Sequence, residues 1–254
     1  MKKIYITSLL ACVACTLINN NKVFAKENYE SQKSNANLSE NNLIVLNHPL
    51  VQHHLSIIRD KNTKTSKFRA SLEKIAELLI YEATKDLPTI PVEVETPMEK
   101  TICKRIDPSK KIFIASILRA GIAITSEAEK IIPWATTHHL GMYRDEMTHK
   151  PVWYYNKVPK NFADQSVAKV FVCDPMLASG GSALEAIKVY RDRGISEEQI
   201  TFICVIGAPE GVKKLREAFP KIKIIMASLD RELNEIKYIL PGLGDAGDRM
   251  HGTY

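Results

Sequence analysis

From residue 43 onward, apolar positions recur with two different periods, and each change of period marks a new element. Residues 66–86 (SKFRASLEKIAELLIYEATKD) place Leu72, Ile75, Leu78 and Leu79 at helical spacing, and residues 43–60 (LIVLNHPLVQHHLSIIRD) also read as helix-rich. A Pro-rich stretch, residues 88–97 (PTIPVEVETP), predicts a strand beside the main sheet. Short apolar runs then alternate with helical segments. Lys111–Ile117 reads as a strand and Ile122–Ile132 as a helix; His138–Met142, Lys169–Cys173, Ile200–Ile206 and Ile222–Ala227 read as further strands. Continuous apolar runs of this length suit strands buried on both faces. The alternation predicts an α/β domain with a mainly parallel sheet and right-handed crossovers. Residues 145–165 break the pattern. Their aromatics and prolines predict an extended arm or lid, with Trp153, Tyr154 and Tyr155 better suited to packing on the body or another subunit than to stacking on a base.

The transition from strand to helix at residues 173–182 (CDPMLASGGS) carries the first chemical signal. A strand ends at Asp174, a small-residue loop follows, and Ser182–Arg193 reads as a helix with Leu184, Ile187 and Tyr190 on one face. Gly180 and Gly181 let backbone N–H groups approach a ligand, and the helix aims its positive end at the same point. Such turns also occur in α/β proteins that bind nothing there. Asp174 tips the balance, because a carboxylate at a strand end beside a phosphate loop suits the hydroxyls of a ribose. The loop is neither a Walker A motif nor G-x-G-x-x-G, which weakens kinase and dehydrogenase readings.

The 254-residue chain is long enough for one full core, and 45% hydrophobic with 25% charged residues is ordinary for a globular protein. The formal charge of +6 falls to +3 once the three lysines of residues 1–25 are set aside, which argues against a nucleic-acid partner. Residues 1–25 have Lys2 and Lys3, an apolar run from Ile4 to Ile18 and an A-x-A-like end at Ala25. They read as an export signal, with lipoprotein-type cleavage before Cys12 as a variant; the run is short for a membrane span. Residues 26–42 read as a polar linker and 43–254 as the folded domain, with no stable membrane span expected in it. The five cysteines suggest no disulfide framework: Cys173 and Cys204 lie in apolar runs, and the Cys12/Cys15 pair lacks further ligands. His138, His139 and His149 read as structural or exposed side chains, and no metal-ligating side chains are assigned.

Two arginines and a Gly-rich tail complete the candidate site. SILRAG puts Arg119 directly after a strand, GMYRDE puts Arg144 after another, and YILPGLGDAGDRMHGT is too polar and Gly-rich for a core. Arginines and an aspartate at neighbouring strand ends can converge on one highly anionic ligand. With HPLV, YEATKDL and APEG, these segments resemble uracil phosphoribosyltransferase from about Asn47 to the end of the chain.

The resemblance implies a type I phosphoribosyltransferase fold: a mainly parallel sheet flanked by helices, with a small hood over the base. It implies transfer of the 5-phosphoribosyl group from phosphoribosyl pyrophosphate to uracil, giving UMP and pyrophosphate in pyrimidine salvage. The alternative is a regulatory protein that senses phosphoribosyl pyrophosphate on the same fold. By resemblance, the sugar donor would contact Arg119, Arg144, Asp174, Pro175, Met176, Leu177, Ala178, Ser179, Gly180, Gly181, Ser182 and Asp245, and uracil would contact Ile239, Gly244, Asp245 and Ala246. Asp174, Arg119, Arg144 and Asp245 would carry the catalytic work. Magnesium (Mg2+) would be held by substrate oxygens and water, because Cys173 stands where many phosphoribosyltransferases have a second acid before Asp174. Ser179 replaces an expected threonine, and His251 an aromatic residue. A homodimer or higher homo-oligomer and GTP as a candidate activator are further implications. Because the sugar donor is an intracellular metabolite, the active pool is expected to be cytoplasmic despite the signal-like residues 1–25.

Overall fold

The computed structural model describes residues 42–145, 151–162 and 166–253. The signal-like segment 1–25, nearly all of the polar linker and His149 lie outside the described residues. In chain order the elements are β1 (Leu43–Val45), α1 (Pro49–Arg59), α2 (Thr65–Ala83), β2 (Thr89–Glu95), β3 (Lys100–Ile106), β4 (Lys111–Leu118) and α3 (Ile122–Ile131). They continue with β5 (Thr136–Arg144), β6 (Pro151–Asn156), β7 (Val167–Cys173), β8 (Met176–Leu177), α4 (Gly181–Arg191) and β9 (Ile200–Gly207). The chain closes with α5 (Pro209–Ala218), β10 (Lys223–Leu229), β11 (Glu232–Leu233), β12 (Ile239–Leu240) and α6 (Ala246–His251).

The main sheet runs β1-β10-β9-β7-β4-β5-β6, with β8 continuing the pairing on β9. All its pairs are parallel except β5 with β6. This is the mainly parallel α/β arrangement expected from the alternating pattern. Every residue of β9 is buried, as are all but the two ends of β4, because helices cover both sheet faces. On one face Ile112, Ile114, Phe171, Ile203 and Ile225 pack with α1, α2, α3 and α6 in one core. The α2 stripe of Phe68, Leu72, Ile75, Ala76, Leu79 and Ile80 is buried against it at the expected helical spacing. On the other face Phe113 and His138 stack, Phe162 meets Phe113 edge-on, and the Tyr190 hydroxyl of α4 lies 2.9 Å from His138 Nδ1. Burial holds the His138 imidazole below its ordinary pKa, so this histidine belongs to the packing, as expected.

Three expectations change. Residues 43–45 are not helical but form the edge strand β1, whose backbone pairs with β10 from Leu43 to Val45. The Pro-rich stretch is a strand, but it pairs antiparallel with β3 in a separate two-stranded ribbon and does not join the main sheet. Pro91 sits within β2, where a position with no neighbour on its other side tolerates a missing N–H donor. The arm is partly sheet: Pro151–Asn156 lies antiparallel along β5 as its outer strand. Residues 146–150 and 163–165 of the predicted lid lie outside the described residues.

Candidate active site

Register brings the candidate residues to one edge of the sheet. Leu118 pairs with Gly141 and Ser116 with Cys173, so β4, β5 and β7 finish side by side in parallel. Arg119 follows β4 directly, Arg144 closes β5 and Asp174 follows β7. Only the backbone of Arg144 is described; its side chain lies outside the described atoms. Gly121 makes the junction after Arg119 possible: a Cβ there would fall 2.5 Å from the Cys173 carbonyl oxygen and 2.6 Å from that of Ile117. No larger residue fits between the ends of β4 and β7.

The anion loop is held more firmly than its sequence suggests. Asp174 N–H donates to Ile203 O at 3.1 Å, Pro175 O accepts from Val205 N at 2.9 Å, and Leu177 O accepts from Ala208 N at 2.9 Å. The stretch read as loop therefore begins as an extension of the sheet. The chain then turns through Gly180, whose φ of +74° is left-handed, into the first turn of α4. A Cβ at Gly180 would also sit 3.1 Å from Gly211 O, at the start of α5, so APEG supplies the floor of the turn. Ser179, Gly180, Gly181 and Ser182 line a pocket of about 130 Å³ that Asp174 and Pro151 help to wall. Backbone N–H groups at the positive end of α4 suit an anion in it.

A second, larger cleft of about 370 Å³ lies beside this pocket, lined by Arg119, Ile239, Gly244, Asp245 and Ala246. Met176 and Ala178 line both openings, so the two share a wall. The β11–β12 hairpin (Leu233 opposite Ile239) and the N-terminus of α6 make its far side. Asp245 caps α6, its Oδ1 accepting from Asp248 N at 2.9 Å. Arg119 is 60% exposed and only loosely held, Nη2 to Asp248 Oδ1 at 3.4 Å, which leaves the guanidinium open to an anion. Lys237, Tyr238, Ala120 and Gly247 also line the cleft and were not singled out in the sequence. Ala120 belongs to the quoted SILRAG and Tyr238 and Gly247 to the quoted tail motif, whereas Lys237 carries no signal beyond its proximity to that motif.

Asp174 is the electrostatic outlier. It is half-buried, and the only described hydrogen bond to its carboxylate is a long one, Met176 N to Oδ1 at 3.4 Å. Burial pushes its carboxyl up to about 7; the Met176 N–H opposes this and the charge of Asp245 adds to it. The neighbouring Cys173 thiol is fully buried and pushed up strongly by burial, which makes it a packing residue with no nucleophilic role. His251 lies exposed in the last turn of α6.

A family model described as uracil phosphoribosyltransferase matches residues 45–253. The chain is 51% identical over 209 residues to a uracil phosphoribosyltransferase of Lactococcus lactis subsp. cremoris, covering 82% of this chain and 97% of that one. It is 48% identical over 211 residues to a uracil phosphoribosyltransferase of Acholeplasma laidlawii, covering 83% and 98%. Among solved structures it is similar to the AQ2163 protein of Aquifex aeolicus, with a TM-score of 0.73 and 31% identity over 83% of this chain and 98% of that one.

Proposed function

The chain belongs to the uracil phosphoribosyltransferase family, and from that premise we propose that the Asp174–Ser182 pocket holds the sugar phosphate while the adjoining cleft holds the base. The protein is a pyrimidine salvage transferase of the type I phosphoribosyltransferase fold, moving the 5-phosphoribosyl group of phosphoribosyl pyrophosphate onto uracil to give UMP and pyrophosphate. The observation that carries the site assignment is the shared wall: Met176 and Ala178 face both openings, so a ribose lying across them has its 5′-phosphate in one and C1′ at the other.

In this reading Ser179–Ser182 cradle the 5′-phosphate through backbone N–H and hydroxyl groups, and Pro175–Leu177 fix that cradle to β9. Asp174 accepts hydrogen bonds from the ribose hydroxyls. Arg119 and Arg144 take the pyrophosphate, where charge grows as the bond to C1′ breaks. The ribose meanwhile gains oxocarbenium character, and Asp245, between base and sugar, faces that positive charge. Ile239, Gly244 and Ala246 offer backbone groups to the edge of uracil. No side chain acts as a nucleophile; the rate comes from holding N1 of uracil in line with C1′ and from excluding water with the arm of residues 145–165.

Magnesium fits this donor set as an ion carried by substrate oxygens. Among the described residues no three His, Cys, Asp or Glu side chains form a metal-binding group, and Asp174 has an acceptor largely unused. When bound, magnesium supplies positive charge against the pyrophosphate oxygens. A homodimer or higher homo-oligomer is supported by the β2–β3 ribbon, where Met98 is 91% and Ile102 67% exposed. Activation by GTP rests on the family resemblance and is tested by adding GTP to the assay. No helix among the described residues is long and apolar enough to cross a membrane. The active pool is proposed to be cytoplasmic, where the sugar donor is made; an exported protein whose N-terminal residue is Lys26, found by fractionation and mass spectrometry, would contradict this.

The catalytic reading is tested by incubating the full chain with uracil, phosphoribosyl pyrophosphate and magnesium. UMP and pyrophosphate in equal amounts are expected, with cytosine disfavoured by ~10⁴-fold because it inverts the donor and acceptor pattern. A folded protein that yields no UMP would sink it.

A further inference from the structure

At the back of the base cleft, one ion pair with a buried carboxylate grips the backbone of the segment that forms it. Asp230 follows β10 and is 4% exposed. Arg59, the last residue of α1, reaches it as a fork: Nη1 donates to Oδ2 at 2.8 Å and Nη2 to Oδ1 at 2.5 Å. The Ser228 hydroxyl donates to Asp230 Oδ1 at 2.8 Å. The pair then takes both backbone polar groups of Gly242: Gly242 N donates to Asp230 Oδ2 at 3.0 Å, and Arg59 Nη1 donates to Gly242 O at 2.8 Å. The next carbonyl, Leu243 O, accepts from Arg249 Nη1 at 2.6 Å, and that arginine also binds the carbonyls of Ile58 and Asp60 at the end of α1. Asp230 is itself fixed, its N–H donating to Gly207 O at 2.7 Å on β9. Gly207 is the residue opposite Leu177 in the β8–β9 pairing that holds the anion loop.

We propose that Arg59 and Asp230 are positioning residues for base binding: by holding Gly242 they set the direction of the Gly244–Ala246 backbone and its distance from the sugar-phosphate pocket. The inference rests on residues 239–246 being the base-binding segment. A continuous set of hydrogen bonds runs from the anion loop through Leu177, Ala208, Gly207 and Asp230 to Gly242, two residues before Gly244. Such a frame keeps the base in line with C1′, where a displacement of about 1 Å is costly. It also assigns a purpose to α1, the first helix among the described residues, which begins at HPLV: its C-terminal residue is the partner of the buried carboxylate. The fork is specific to arginine, since a lysine ammonium cannot span both carboxylate oxygens and the Gly242 carbonyl in one plane.

The test uses the full chain carrying Arg59→Lys, which keeps the charge and spares the fold. Steady-state kinetics should show the KM for uracil raised about tenfold or more, with that for phosphoribosyl pyrophosphate within about twofold. The preference for uracil over cytosine should fall as well. Ser228→Ala, removing only the bridging hydroxyl, should move the same constants in the same direction by less. A structural role alone would lower the melting temperature or the active fraction and leave both KM values and the base preference unchanged; that outcome overturns the proposal. Gly244→Ala separates the two layers, because φ at Gly244 is +78° and a side chain there distorts the segment directly. If Gly244→Ala raises the uracil KM and Arg59→Lys does not, positioning by the pair is wrong. If neither does, the base-segment reading itself fails.

Discussion

Asp174 and Asp230 are both aspartates at the carboxyl edge of the same sheet, one after β7 and one after β10, and they are treated in opposite ways. Asp230 is enclosed and saturated, with donors from Arg59, Ser228 and Gly242 on its two oxygens. Asp174 is half-buried with one long bond to a backbone N–H, and burial raises its pKa to about 7. A carboxylate whose acceptors are all used can shape a site but has little left to offer a ligand. One that is desolvated and almost unpartnered destabilises the empty protein and regains that energy when a ligand's hydroxyls arrive. The contrast separates frame from reacting edge better than sequence position does.

The largest expected effect breaks the saturated side. Asp230→Ala removes the buried member of the pair and leaves the part-buried Arg59 and the Gly242 N–H without their acceptor, so urea unfolding should show a loss of about 3 kcal/mol, the low end for a broken buried pair because Arg59 keeps 24% of its side chain in solvent. A loss below about 1 kcal/mol would mean that water replaces the carboxylate and the frame is weaker than its geometry implies. Next come Arg119→Ala and Asp174→Asn, each expected to reduce turnover by an amount equivalent to ~2–4 kcal/mol while circular dichroism stays unchanged. Gly180→Ala should act through the anion loop alone, raising the KM for phosphoribosyl pyrophosphate and destabilising by ~1–2 kcal/mol, the cost of forcing a Cβ into a left-handed turn.

The smallest effect sharpens the comparison through pH. The folded pKa of Asp174, about 7, lies above the unfolded value of ~3.9, so the folded protein binds the proton more tightly. Its contribution to stability is complete below about pH 4 and is lost as pH rises through 7. Asn cannot ionise. The unfolding free energy of Asp174→Asn should therefore rise relative to that of the parent between pH 5 and pH 8 in the absence of substrate, by on the order of 1 kcal/mol after solvent screening, with the melting temperature moving in the same direction. A pH-independent difference would place the Asp174 carboxylate in water.

Much of this was legible in the sequence where residue type alone decides the structure. The strands β4, β7, β9 and β10 announce themselves because burial on both faces demands continuous apolar runs. Asp174, Gly180 and the Gly-rich tail stand out because a strand-end acid and left-handed turns need particular residues. β3 was missed because KTICKRI is almost wholly exposed and has no apolar alternation. β1 and β8 are too short for any period, and their pairing is set by neighbours distant in the chain. The Arg59–Asp230 pair spans 171 positions, and neither residue sits in a motif that reveals its partner.

The most direct test compares UMP formation by the parent and Asp174→Asn under saturating uracil, phosphoribosyl pyrophosphate and magnesium, with melting curves recorded on the same samples. The sparsely bonded carboxylate is expected to be the one that chemistry uses: turnover should fall by ~10²-fold or more while the substrate-free variant melts no lower than the parent at pH 8. Equal turnover in the two proteins would contradict that claim.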